Sequence, residues 1–337
     1  MITATKSEIT AYPSPLLVYD GSCGFCYRSV RFILRHERRH DLSFVTRNSE
    51  LGKGLRRTHG MEAVESMLWI ESGQVFAESG AVMKAAGIFP AGAKHLYLHC
   101  EGQRHGPAVI LDAGLFRDST DWKLVLPEAA RFTQVCSYDR EGLGQSKVDR
   151  GVSPESECID EQVEDLRSLL SSARVVPPYL LVGHSGGGIR VRRYTRDHPD
   201  EVAGLVFVDS AHEEQLWRFL AIDLRSIQGP PADPNRAGCG GMLRSPGERL
   251  VWHCDKPLIV LEHGIPLTFE GPLAAHTAEF NSAVDSMARD LASRSSQAQF
   301  RIARKSGHDI MLDEPSVVVQ AIHDVWDEAQ NPTHQYW

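Results

Sequence analysis

Short apolar runs bounded by turn residues recur along the chain and predict strands over residues 16–19, 42–46, 66–70, 95–99, 108–112, 132–137, 180–182, 202–208, 258–261 and 300–303, with 75–76 closing a hairpin on 66–70. Between them lie stretches with the 3.6-residue period of amphipathic helices. One follows the first strand to about residue 39, with Arg28, Arg31, Arg35 and Arg38 on one side and Cys26, Val30, Ile33 and Leu34 on the other. Others cover a short segment near 79–86, then 161–171, 189–197 and 213–225, and a last one opens at Pro315 with Val318, Ile322, Val325 and Trp326 turned inward. The turn-forming sequence Phe89-Pro90-Ala91-Gly92-Ala93 predicts a boundary, giving domains over 1–90 and 91–337. Residues 228–246, rich in glycine and proline, fall within a segment of about 212–255 expected to form a small lid.

One junction of strand and helix stands apart. Leu180-Leu181-Val182 breaks at Gly183, and Gly186-Gly187-Gly188 lead into the next helix, so Ser185 falls on a tight turn in the pattern G-x-S-x-G. Such a turn forces the serine into a strained backbone conformation and leaves no room for side chains two residues away. Its hydroxyl is then presented beside a helix N-terminus, where free N–H groups stabilise an anion. A serine becomes nucleophilic only when a base takes its proton, and the base needs an acid to fix its tautomer. His308 follows the last predicted strand after a glycine and is the candidate base. Asp209, ending the strand at 202–208, is preferred as the acid over Glu262 and Glu270, because the loop His263-Gly264-Ile265-Pro266-Leu267 holds no carboxylate. Gly114 frees the loop after 108–112 to aim the Leu115 N–H at a substrate carbonyl oxygen, with the Gly186 N–H as the second donor.

The segment Tyr138-Asp139-Arg140-Glu141-Gly142-Leu143-Gly144-Gln145-Ser146 closely resembles the Y-D-x-x-G-x-G-x-S signature of α/β-hydrolases, and with the elbow it extends that resemblance over about 93–330. The resemblance implies a mostly parallel α/β sheet and serine esterase chemistry, in chain order Ser185, Asp209, His308. Asp139 and Arg140 are expected to brace their loop by pairing with each other. Gly186 stands where many members of the family carry Met or Gln. A serine at the elbow argues against dehalogenase or epoxide-hydrolase chemistry, which places a carboxylate there.

The first ninety residues carry a second motif. Asp20-Gly21-Ser22-Cys23-Gly24-Phe25-Cys26 sits between a strand and a helix, the arrangement in which a helix N-terminus lowers a thiol pKa and a second cysteine resolves a mixed disulfide. The wording Tyr19-Asp20-Gly21-x-Cys23-x-x-Cys26 resembles the DCC family of thiol-disulfide oxidoreductases over about 14–90, which implies a thioredoxin-like α/β domain with Cys23 and Cys26 as its redox pair. The family's usual continuation is replaced here by hydrolase-like sequence, and no proline precedes the strand at Ser66. Zinc would need two further soft ligands, and Cys239, His253 and Cys254 offer no second C-x-x-C.

Composition narrows the setting. The 337 residues are 42% hydrophobic and 24% charged, enough for full cores, and length alone suggests about two domains. Of the net charge of -8, residues 1–90 contribute +2, so the rest is acidic and unsuited to nucleic acid. No apolar run reaches membrane-spanning length, the polar start lacks the features of a signal peptide, and seven scattered cysteines do not suggest a disulfide scaffold, so a cytoplasmic location is expected. The expected function is hydrolysis of a small carboxylic ester or related acyl substrate without cofactor or metal. The alternative is a thiol-disulfide oxidoreductase carrying the hydrolase-like part as a passenger or binding domain.

Overall fold

The computed structural model describes residues 15–21, 26, 30–31, 33–34, 42–64, 67–71, 74–77, 87–146, 158–226 and 254–330. Cys23, the helix expected near 79–86 and the greater part of the expected lid lie outside the described residues. The chain divides into two compact units at Phe89 and Pro90.

The smaller unit is a four-stranded mixed sheet in the order β2-β1-β3-β4, formed by β1 (Leu16–Tyr19), β2 (Ser43–Thr46), β3 (Leu68–Glu71) and β4 (Gln74–Ala77). β1 runs parallel to β2 and antiparallel to β3, and β4 returns antiparallel to β3. Alternate side chains of a strand face opposite ways, and here both faces are apolar, which is why β1 reads as a continuous hydrophobic run. Leu17 and Trp69 pack with Cys26, Val30 and Ile33 on one face, while Leu16, Val18, Leu68 and Ile70 pack with Leu55 of α1 (Glu50–Thr58) on the other. Leu34, expected on the buried side of its helix, is instead 56% exposed. At 100° per residue it sits a full step beyond Ile33, past the edge of the strip that Cys26, Val30 and Ile33 bury.

The larger unit is an eight-stranded sheet in the order β12-β11-β10-β9-β7-β8-β6-β5. Its strands are β5 (Ile88–Ala91), β6 (Lys94–Glu101), β7 (Ala108–Asp112), β8 (Val135–Tyr138), β9 (Tyr179–His184), β10 (Val202–Val208), β11 (Leu258–His263) and β12 (Ala298–Ala303). Its α-helices are α2 (Leu126–Ala129), α3 (Ile159–Ser172), α4 (Gly186–Asp197), α5 (Gln215–Ile222), α6 (Thr277–Ala292), α7 (Ile310–Asp313) and α8 (Pro315–Gln330). All of β7 to β12 run parallel, and β6 lies antiparallel against β8. The central strands are buried on both faces: Val109, Ile110 and Leu111 are fully covered, as are Leu180, Leu181 and Val182. One face is closed by α8 through Val318, Ala321, Ile322 and Val325. From β7 the chain winds to one side into β8 and then crosses back to β9 on the other, so the loops after β7 and β9 flank the point where the winding reverses. Ligands of open α/β sheets bind at that crevice, beyond the carboxyl ends of the strands.

Two expectations about these elements change. The residues read as a boundary turn form edge strand β5, with the turn itself at Gly92 and Ala93. The strand expected from 132 begins at Val135, because Phe132 closes a turn on Ala129 and its ring packs on Trp326 of α8. A disulfide of which the chain carries no local sign joins Cys100 and Cys136, direct partners on β6 and β8, with Cα atoms 4.1 Å apart. Thirty-six residues separate them in the chain, so only the pairing of these strands brings the sulfurs together. Among the described residues, no helix is long and apolar enough to cross a membrane.

Candidate active site

The elbow is built where β9 gives way to α4. Ser185 has φ 49° and ψ -120°, a region that non-glycine residues seldom occupy, and it is held there by hydrogen bonds on both sides. Its N–H donates to the Val208 carbonyl at 3.2 Å, and its carbonyl accepts from Gly188 at 3.0 Å and from Ala211 at 2.9 Å. The glycines are there because the strand and helix nearly touch: a Cβ on Gly183 would come within 2.6 Å of the Gly188 backbone.

Register then fixes the neighbour. His184 of β9 pairs with Val208 of β10, so Ser185 and Asp209 are the next residues on adjacent parallel strands, and both have positive φ. The Asp209 carboxylate is buried, with its side chain 7% exposed. Its Oδ2 lies 2.5 Å from His308 Nδ1, and its Oδ1 lies 2.7 Å from His263 Nδ1 and accepts the His263 backbone N–H at 3.2 Å. Burial raises a carboxyl pKa, but here the hydrogen bonds and charges of the two imidazoles outweigh it and bring Asp209 down to about 2. The His308 side chain is 45% exposed, so it emerges from this buried anchor toward the crevice. Its backbone carbonyl is held by His184 Nε2 at 3.0 Å, and the two rings lie 4.7 Å apart. His184 is fully buried, which pushes its pKa down to about 3 and keeps it neutral, with the bond to His308 selecting its Nε2–H tautomer.

The loop after β7 is anchored from below. Asp112, fully buried, takes Arg140 Nη1 at 3.0 Å and Arg190 Nη2 at 2.8 Å, and accepts the Tyr138 hydroxyl at 2.8 Å. The same guanidiniums bond the carbonyls of the loop: Arg140 reaches Ala113 at 3.1 Å and Gly114 at 2.6 Å, and Arg190 also reaches Ala113. Arg140 therefore serves Asp112 rather than the expected Asp139, whose carboxylate accepts the N–H groups of Ser119 and Gln145 at 2.7 Å each. A buried carboxylate next to two guanidiniums is the stronger attractor, since pairing offsets the cost of burying all three charges. The loop so fixed lies against the elbow: a Cβ on Gly114 would stand 3.2 Å from the Ser185 Cβ and 3.1 Å from His184 Nδ1. Leu115, half-buried, and Gly186, first residue of α4, are the candidate donors on the two sides of that contact.

Of the residues singled out from sequence, Ser185, Asp209, His308, Leu115 and Gly186 thus lie at one end of the sheet. Glu262 and Glu270 do not join them. Glu262, the penultimate residue of β11, is 6% exposed and burial raises its pKa to about 7, while Glu270 is exposed at the start of a 3-10 turn over Gly271–His276. His263, which the sequence places only in the loop without a carboxylate, joins the site through the pairing of β10 with β11. Beyond β10, α5 opens the expected lid, and its Phe219 meets Phe280 of α6 edge to face, ring centroids 5.1 Å apart. In the smaller unit Cys26 is 4% exposed at a helical position in the apolar cluster with Leu17 and Trp69. Among the described residues, no group of three or more His, Cys, Asp or Glu is arranged to hold a metal ion.

Comparisons with known proteins agree with both halves of the chain. Residues 17–104 match the family of DCC1-like thiol-disulfide oxidoreductases, and residues 129–227 match the family described as serine aminopeptidase, S33. A curated relative, the uncharacterized protein YqjL of Bacillus subtilis, is 28% identical over 231 residues, 66% of this chain and 84% of that protein. Another from the same organism, YuxK, is 34% identical over 74 residues, 21% of this chain, which spans about half (54%) of its length. Among solved structures, a thermophilic esterase from Thermogutta terrifontis superposes with a TM-score of 0.52 at 19% identity, covering 72% of this chain and 98% of that one.

Proposed function

From a chain that joins a DCC1-like segment to a hydrolase of the α/β-hydrolase fold, we propose that the larger unit is a serine esterase acting through Ser185, Asp209 and His308. The observation that carries the reading is the contact of His308 Nδ1 with the buried Asp209 carboxylate, one register step from the strained Ser185. An imidazole so held keeps its Nδ1 proton and leaves Nε2 with a lone pair. In the proposed cycle Nε2 takes the Ser185 hydroxyl proton as Oγ bonds to the acyl carbon. The carbonyl oxygen becomes an oxyanion between the Gly186 and Leu115 N–H groups. Collapse breaks the bond to the leaving alcohol, which carries away the proton from His308. Water, deprotonated by His308 in the same manner, then attacks the acyl-serine ester, and His308 returns that proton to the Ser185 Oγ as the acid leaves.

A carboxylic ester is favoured over an amide because an alkoxide is a far better leaving group than an amide nitrogen and needs no activation beyond this triad; the relatives' resemblance is one of fold. The test is fluorophosphonate labelling of the full chain together with hydrolysis of p-nitrophenyl esters of graded length, in wild type and Ser185→Ala. The proposal expects labelling and turnover in wild type and neither in the variant; a wild type that is not labelled overturns it. Cytoplasmic residence belongs to the proposal and has its own check. A Cys100–Cys136 disulfide persists in oxidising surroundings and is rare in a reducing cytosol, so the pair should be reduced in protein trapped from cells.

A second reading is favoured by one observation, the burial of Cys26 beside an apolar sheet face, as suits the resolving member of a C-x-x-C pair. Under it the smaller unit exchanges disulfides through Cys23. Insulin reduction by the chain, lost in Cys23→Ser, supports this reading, and no reduction by wild type removes it.

A further inference from the structure

Asp209 offers its two oxygens to two different imidazoles. The one on Oδ2, His308, has a side chain 45% exposed, as a base that must reach substrate requires. The one on Oδ1, His263, is 5% exposed and ends β11, the strand next to that of Asp209. Two donors of the same residue, Nδ1 at 2.7 Å and the backbone N–H at 3.2 Å, converge on Oδ1. The Asp209 backbone is tied to the same strand, its N–H donating to the Leu261 carbonyl at 2.9 Å.

A carboxylate turns about its Cβ–Cγ bond unless something fixes it, because the torsion onto an sp² carbon is broad. Here the positive φ of Asp209, 41°, and the bond to Leu261 set where the side chain starts, but neither sets the rotation of the carboxylate plane. We infer that His263 is a positioning residue for the proposed triad: by anchoring Oδ1 with its side chain and backbone, it leaves Oδ2 aimed at His308. Without the imidazole, Oδ1 keeps the backbone N–H alone, and both oxygens compete for His308 from poorer angles. The effect falls on kcat, since the His263 side chain is buried, 5% exposed, and is bonded to the acid. In metal sites, partners that orient a ligating side chain are worth about 10- to 100-fold, and a loss of that order in kcat with little change in KM is expected here.

The inference rests on the proposed serine chemistry for its kinetics but has a readout free of it. In full-length protein labelled with 15N in histidine, long-range correlations of the ring nitrogens report which nitrogen carries the proton. His263 is assigned by its disappearance in His263→Asn, and its Nδ1 must be protonated at neutral pH to donate to Asp209. A neutral His263 with its proton on Nε2 overturns the inference in the wild-type protein, with no variant needing to fold. In kinetics, His263→Asn, whose amide N–H can stand in for Nδ1–H, should retain most of kcat, while His263→Phe loses the 10- to 100-fold stated. Equal rates in Phe and wild type overturn the inference. Loss of all turnover in His263→Asn with activity kept in His308→Asn also overturns it, because His263 would then be the base. A wild type that escapes fluorophosphonate labelling sinks the esterase proposal alone and leaves the tautomer result to decide the position of His263.

Discussion

Asp209→Asn tests the site more sharply than removal of the nucleophile, because the structure predicts which way the new amide turns. Three donors converge on the native carboxylate: the two from His263 on Oδ1 and His308 Nδ1 on Oδ2. Asparagine has one acceptor and one donor end. Turned so that its oxygen meets His263, it satisfies two donors and presents N–H to His308. The opposite orientation sets its N–H against two buried donors and leaves them unsatisfied, at about 1–3 kcal/mol each. The first orientation should therefore prevail. His308 must then accept at Nδ1 and carry its proton on Nε2, the wrong tautomer to take a proton from Ser185. Loss of the orienting acid with intact geometry lowers kcat by about 10⁴ in serine proteases, or about 5.4 kcal/mol at 1.36 kcal/mol per decade, and a loss near that size is expected here. Stability should fall too: a folded pKa of about 2 against 3.8 for the unfolded carboxyl corresponds to about 2 kcal/mol at neutral pH, and so a drop in Tm of about 4–8 °C for a domain of this size. Steady-state ester hydrolysis on protein shown folded by circular dichroism reads the first, and a thermal scan the second. A kcat within tenfold of wild type would refute the reasoning.

Acid sensitivity follows from the same cluster. His184, with a folded pKa of about 3 against 6.5 when unfolded, takes up its proton more readily in the unfolded chain, so it costs no stability above pH 6.5 and progressively more as pH falls toward 3. The Asp209 contribution, full above about pH 3.8, is lost as pH drops toward 2; denaturant titrations from pH 7 to 3.5 should show falling stability, and removal of the imidazole in His184→Gln should flatten the decline. Gly187→Ala places a Cβ 2.3 Å from the Asp112 carbonyl oxygen, a backbone atom that the Arg190 network holds rigid, so the variant should be found mostly insoluble on expression. Reduction of the Cys100–Cys136 disulfide, or Cys136→Ser, should lower stability by about 3–4 kcal/mol from the loop of 36 residues it closes, read as a shift in urea midpoint; an unchanged midpoint would mean that the strand pairing alone already restrains the chain.

Much of this protein is legible in its sequence because the signals concerned are local. Apolar runs such as Leu180-Leu181-Val182 mark strands covered on both faces, Val163, Leu166, Leu169 and Leu170 mark the buried stripe of α3, and glycines at 183 and 186–188 mark a turn that tolerates no Cβ. Those features depend on neighbours within a few positions, and so does the identity of Ser185 as the residue presented at that turn. What the sequence could not determine is what meets across the sheet. Asp112 and Asp139 both follow apolar strands and look alike in the chain, yet Arg140 goes to Asp112 because that carboxylate lies buried beneath the elbow beside Arg190. Cys100 meets Cys136 through the register of β6 on β8, and His263 meets Asp209 through the register of β10 on β11. Partnerships of this kind are set by strand order and register, which depend on the packing of the whole sheet, and separations of 28, 36 and 54 residues leave no local trace of them.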